Sequence, residues 1–427
     1  MKSRLVDELP ELVRNKVISE EVAIKILGYY QSQESETPNK LFAIFGVLGS
    51  LLVGLGIILI LAHNWDYFSR ALKTGLALFP LILGQVLAGY AILKKKSGTW
   101  KEASGTFLFF TVGSSIGLVS QIYNIPGDLS TYVLIWILLC LPLIYLLKSN
   151  AVAMLHIAFS TFYAVSIGYG FNGLSEAPWI YVLLLALLMP HYLQLLKHQS
   201  EANVTSIFNW LLPLSVIITL GTFLERYGDL GYLTYIILFG LFYNIGKLPI
   251  FDDRKLRRNG YLIFGSVGTV VMLLICSFIG IWNFDSGSDL FVSKEFLMTL
   301  LLFGVTLALL IYLYSKQWMK QFNLFHFVFI IFTAFFFSGL LDGLIAAIFV
   351  NILVLVLGLV TIKLGADRYH FGILNYGLLI ITALIVCRFF DTDMSYVIRG
   401  LLFVIVGVGF FLANYIMLKR KKSIVKV

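Results

Sequence analysis

Charge is the scarcest property of this sequence: only 13% of its 427 residues are Asp, Glu, Lys or Arg, where soluble domains carry roughly 25%. With 59% hydrophobic residues and a mean hydropathy of +0.89, the chain lies outside the soluble range and reads as a polytopic membrane protein. Cysteine is nearly absent too. Cys140, Cys276 and Cys387 each sit inside an apolar run without CxxC spacing, which excludes a disulfide framework and a zinc site. No metal and no cofactor are expected. There is no Walker A sequence, no GxGxxG and no HExxH, which argues against nucleotide-driven transport and metalloprotease chemistry. The first 40 residues hold no apolar run behind a basic start, so no cleavable signal peptide is expected and the helices themselves direct insertion. The net charge of +9 comes from short basic runs beside hydrophobic stretches, a topological pattern rather than a nucleic-acid-binding face.

What the chain has is long apolar runs. A window of about 20 residues, the length that crosses roughly 30 Å of hydrocarbon, gives fourteen spans: 41–63, 72–93, 104–122, 129–147, 151–169, 179–196, 204–224, 230–246, 260–282, 296–314, 322–340, 344–362, 371–389 and 396–418. The expected fold is an all-α membrane bundle. The eighth span is the weakest, being short and broken by Gly246 and Pro249. Loops after even-numbered spans, with the tail, hold twenty Lys and Arg; those after odd-numbered spans hold Arg70, Lys73, Arg226, Lys294 and Arg388, with Arg399 just inside the last span. Twenty against six places both termini in the cytoplasm by the positive-inside rule.

On that topology three polar segments face outward: "HNWDYFSR" at residues 63–70, "QIYNIPGD" at 121–128 and "RFFDTDMSYVIRG" at 388–400. Before the first span, residues 1–40 read as a cytoplasmic amphipathic helical hairpin, with Ser19 as an N-cap and Glu20 and Glu21 in the first turn, where they complement the helix dipole. The hairpin lies against the bundle or lipid, or serves a cytoplasmic partner. Residues 41–170 form a first membrane region and 171–427 a second.

A hairpin reading "LVRNKVISEEVAIKILGYY", a Gly-rich first span closing in "AHNWD" and a third closing in "SQIYNIPGD" resemble the bacterial membrane-protein family catalogued as domain of unknown function 2157. The resemblance covers residues 5–145 and is looser beyond, where only "RFFD" and "RG" are similar to longer members. It implies a multi-pass protein of the bacterial cytoplasmic membrane, carries over no reaction, and marks Asn64, Trp65, Asp66, Gln121, Tyr123, Gly127 and Asp128 as signature positions.

Simple structural roles account for part of this. Trp65 and Tyr67 suit the interfacial aromatic belt. Asp66 or Ser69 can cap the second span, and Pro126-Gly127 suits a type II turn with Asp128 capping the fourth. Asp66 and Arg70, four apart, pair on one face if the second helix begins early, for about 0.2–0.5 kcal/mol. Caps need only one short polar side chain, whereas Asn64, Asp66, Arg70, Gln121 and Asp128 occur together. The candidate ligand-binding residues are therefore Asn64, Trp65, Asp66, Arg70, Gln121, Tyr123 and Asp128, with Arg388, Asp391, Asp393 and Arg399 as secondary candidates. Small residues at Gly46, Ser50 and Gly54, and at Gly113 and Gly117, are expected to bring the first and third spans together. His156, His191, His326, Asn351, Asn375 and Asn414 lie within spans, where polar groups serve function or join helices. "GSSIG" at 113–117 matches a hydrolase motif that needs a strand-to-helix turn, which an apolar helix does not supply. Three classes remain: a carrier, flippase-like protein or sensor of a small or lipid-linked ligand; a membrane-embedded enzyme of envelope or lipid metabolism; and a structural or assembly protein.

Overall fold

Inside a bilayer no water satisfies the backbone, so each apolar run must close its hydrogen bonds within itself. The computed structural model describes residues 4–34, 65–170, 176–224, 228–252, 255–282, 290–291, 293–318, 323–339, 342–391 and 396–425; among them there is helix and no strand. The chain divides into two units, residues 1–76 and 77–427.

In the first unit α1 (Arg4–Arg14) and α2 (Glu20–Glu34) pack against each other. Lys16 turns the chain between them at φ 54°. The Ser19 hydroxyl accepts the Val22 N–H at 3.4 Å. The first expected span, 41–63, with Gly46, Ser50, Gly54 and His63, lies outside the described residues, as does Asn64. A 3-10 turn at Trp65–Tyr67 leads into α3 (Arg70–Leu93), which runs on into the second unit.

The second unit continues with α4 (Gly98–Tyr123), α5 (Leu129–Leu147), α6 (Asn150–Gly168), α7 (Trp179–His198), α8 (Asn203–Leu220), α9 (Gly228–Gly246), α10 (Gly260–Cys276), α11 (Lys294–Ser315), α12 (Val328–Gly339), α13 (Gly343–Asp367), α14 (Phe371–Asp391) and α15 (Tyr396–Val425). These coincide with the second to fourteenth expected spans. Among the described residues nine helices are long and apolar enough to cross a membrane: α3 to α8, α11, α13 and α14. In α10, α12 and α15 the apolar stretch is shorter.

The helix left out, α9, is diluted by Asp229, Asn244 and four glycines. It is nonetheless the centre of the unit. Leu230, Leu233, Ile236 and Ile237 enter one hydrophobic cluster with α10 to α14, while Leu238, Phe239 and Phe242 enter a second with α4 to α8 and α10. A helix surrounded by helices meets little lipid, so it has no need of a fully apolar surface. Where lipid is as apolar as leucine, close packing and interhelical hydrogen bonds hold helices together instead. On α9, a Cβ at Gly246 would lie 2.7 Å from the Leu262 nitrogen of α10, and the Thr234 hydroxyl lies 2.7 Å from that of Thr299 on α11.

The small residues of α4 also admit a neighbour, α5. The site of a Cβ at Gly113 is filled by the Trp136 indole, and Tyr132 lies over Gly117; the Tyr132 hydroxyl donates to the Gly113 carbonyl at 2.9 Å. Ser115, of the hydrolase-like sequence, is buried within α4 and donates to the Ala77 carbonyl at 2.7 Å. At the other end of α4 the Glu102 carboxylate accepts the Ser149 hydroxyl at 2.5 Å and the Asn150 and Ala151 N–H groups at 2.9 Å each. It thereby fills the N-terminus of α6, where unpaired N–H groups and the helix dipole favour an anion.

Candidate functional site

Ser69 caps α3: its hydroxyl accepts the Leu72 N–H at 3.3 Å. Asp66 stands before the helix, exposed, in the 3-10 turn. Because α3 begins at Arg70, Asp66 and Arg70 do not share a helical face. Trp65 packs edge-on against Phe68, centroids 6.5 Å apart, with the Lys73 ammonium 5.7 Å from its ring centre.

Gln121, Tyr123 and Asp128 are gathered in one exposed turn of the second unit. Asn124 ends α4 in the left-handed region at φ 50°. The Ile125 N–H then reaches the Ser120 carbonyl at 2.9 Å, and the Ser120 hydroxyl donates to the Ile125 carbonyl at 2.9 Å. Gly127 has no positive φ, whereas a type II turn requires one at its third residue; the expected Pro126-Gly127 turn is replaced by this asparagine-terminated one. Asp128 caps α5, accepting the Thr131 N–H at 2.8 Å and the Thr131 hydroxyl at 2.7 Å. Those bonds, the backbone one foremost, hold its carboxyl below the usual value of 3.8.

Arg388, on α14, donates from Nη2 to the Ser277 hydroxyl at 3.0 Å, and its guanidinium lies 4.6 Å from the Phe278 ring centre. The Asn351 amide of α13 donates to the Ser277 carbonyl at 2.9 Å. Asp393 and the side chains of Asp391 and Arg399 lie outside the described residues. Within the helices His191 bonds Asn150 at 3.1 Å and His326 bonds Asn244 at 2.6 Å, both as interhelical links. Among the described residues Cys140, Cys276 and Cys387 form no disulfide.

A cavity of about 270 Å³ opens among residues that the sequence reading did not select: Glu176, Ala177, Trp179, Phe223, Lys294, Glu295 and Met298. Trp179, the first residue of α7, meets Phe223 edge-on at 5.2 Å, and Ser293 caps α11 by accepting the Phe296 N–H at 3.1 Å. Lys294 therefore occupies the first position of α11, where the dipole disfavours a cation. That placement was the available sequence signal. Two carboxylates, one ammonium and two aromatic faces around one cavity suit a small ligand carrying both charge and an apolar part.

Helices long enough to span, packed through small residues and interhelical hydrogen bonds, define a polytopic helical membrane protein. Over residues 10–153 the chain matches the family described as Predicted membrane protein (DUF2157). The comparisons with curated proteins and with solved structures return no match.

Proposed function

We propose that this chain is a carrier or sensor of the bacterial cytoplasmic membrane, with fourteen spans and both termini inside, which takes a small or lipid-linked ligand from the outer side. The observation that carries this reading is the cavity lined by Glu176, Trp179, Phe223, Lys294 and Glu295. Its walls come from three separate connections at the end where basic residues are fewest, the side that a ligand from outside meets first. Asp66 adds support: with Ser69 as the cap of α3, the helix start does not require its carboxylate.

The test is envelope lipid and metabolite profiling of a deletion strain complemented with Glu176→Gln or Lys294→Gln. An unaltered compound accumulating on one side of the membrane, restored by the wild type and by neither variant at equal folded yield, is the expected result. A precursor accumulating on both sides of the membrane with loss of its chemically converted product would move the reading to an enzyme. Full restoration by both variants would remove the cavity from the function.

A further inference from the structure

Along the junction of α6 with α7 and α8, polar side chains succeed one another from end to end. Glu102 and Ser149 stand at one end, with Asn150 joined to His191. Toward the other, Ser215 of α8 lies 2.6 Å from the Thr161 hydroxyl of α6 and 2.7 Å from that of Tyr181 on α7. Between them are His156 and Ser160, 1% and 0% exposed. His156 Nε2 donates to the Leu184 carbonyl of α7 at 3.0 Å. That bond fixes the tautomer of the neutral ring and leaves Nδ1 as a bare acceptor. Nδ1 of His156 and Oγ of Ser160 are both buried without a hydrogen-bond partner. Native interiors rarely leave such atoms unpaired, because each costs about 1–3 kcal/mol.

The two orphaned groups are complementary and lie about one turn apart on α6. Residues four apart on a helix share a face, with Cβ atoms about 5–6 Å apart, and a water bonding at about 2.8 Å to each side fits a gap of that order. We propose that α6 carries a buried proton-binding site, in which a water molecule held between His156 Nδ1 and Ser160 Oγ delivers a proton to the imidazole. A hydronium ion gives its proton to the Nδ1 lone pair, leaving water and an imidazolium. Because the Nε2 proton points at a carbonyl, which cannot pass it on, the same Nδ1 proton leaves when the site discharges. His156 is thus a loading site rather than a link in a wire. The titratable groups on the helices packed against α6 are Lys101, Glu102 and Tyr123 of α4, Tyr132, Cys140 and Tyr145 of α5, and Tyr181, His191, Tyr192, Lys197 and His198 of α7; α8 contributes none. Glu102 is committed to the α6 N-terminus, so the imidazolium is a transient charge. The site is independent of the outer cavity, and the failure of either leaves the other standing.

Deuterium exchange at the imidazole C2 position, followed by mass spectrometry on the purified full-length protein, reads water access and titration of each histidine separately. Exchange at His156 is expected to rise with pH to a plateau, and Ser160→Ala is expected to slow it at least threefold while His191 keeps its wild-type rate. Ser160→Ala also separates a wet from a dry junction thermally. Losing a water ligand leaves the melting temperature equal or lower, whereas removing a truly unpartnered hydroxyl raises it. Absence of exchange at His156 over days, an unchanged rate in Ser160→Ala, or a higher melting temperature for that variant would each overturn the proposal.

Discussion

Ser69 and Asp66 stand three residues apart and separate two explanations of one polar segment. Ser69 is the cap, so Ser69→Ala should cost about 0.5–2 kcal/mol of helix stability, read as a lower melting temperature in detergent. Asp66→Asn should leave the melting temperature where it is. On the proposed function it should still give the deletion phenotype, and full complementation by Asp66→Asn would reduce that aspartate to a surface residue. Asp128 behaves differently because Thr131 uses both its oxygens. Its carboxyl is lowered from 3.8, chiefly by the Thr131 N–H, so it favours the capped α5 above that value. The contribution fades as pH falls through 3.8 toward the lower folded value. Protection of the amides at the start of α5, taken against the unstructured exchange rate at each pH, should fall on acidification from pH 5 to about 3 in the wild type and show no such step in Asp128→Asn. The cap was readable in advance because it depends on four consecutive residues. The turn before it was misread because Asn124, one of the few side chains that tolerate the left-handed region, supplies the bend that Gly127 was expected to make.

Helix α9 shows what hydropathy measures. Its sequence reads as the least secure span because Asp229, Asn244 and four glycines thin out its apolar side chains, yet it is the helix around which the second unit packs. Hydropathy reports contact with lipid, and a helix enclosed by helices has little of that. The small residues of α4 carry a related lesson: they mark close approach without naming the element that approaches, and α5 is one that does. Their size can be tested. Gly113→Ala places a methyl group in the Trp136 ring and should cost about 1–3 kcal/mol, whereas Gly127→Ala meets nothing within 4 Å and should melt with the wild type. Equal melting of the two variants would mean that the α4–α5 contact differs from the one described.

At the scale of the whole molecule, the alternation of basic loops makes the strongest commitment. Reporters fused after residues 97 and 259 should read cytoplasm and those after 125 and 286 exterior; inversion at any two junctions would overturn the fourteen-span topology. The helices were legible because a bilayer converts hydrophobic length directly into structure. The cavity was not, because Glu176, Phe223 and Lys294 come from three turns far apart in the chain, and no local pattern announces that such turns meet. The clip formed by Glu102 belongs to this scale for another reason. Its partners begin at Ser149, 47 residues later in the chain, so a ribosome must extend the chain that far before this carboxylate finds its donors. Until then the first turns of α4 have no anchor from α6, and the order of synthesis itself decides when these helices become a unit: α4 waits, α5 threads through, and the arrival of α6 locks the three in place.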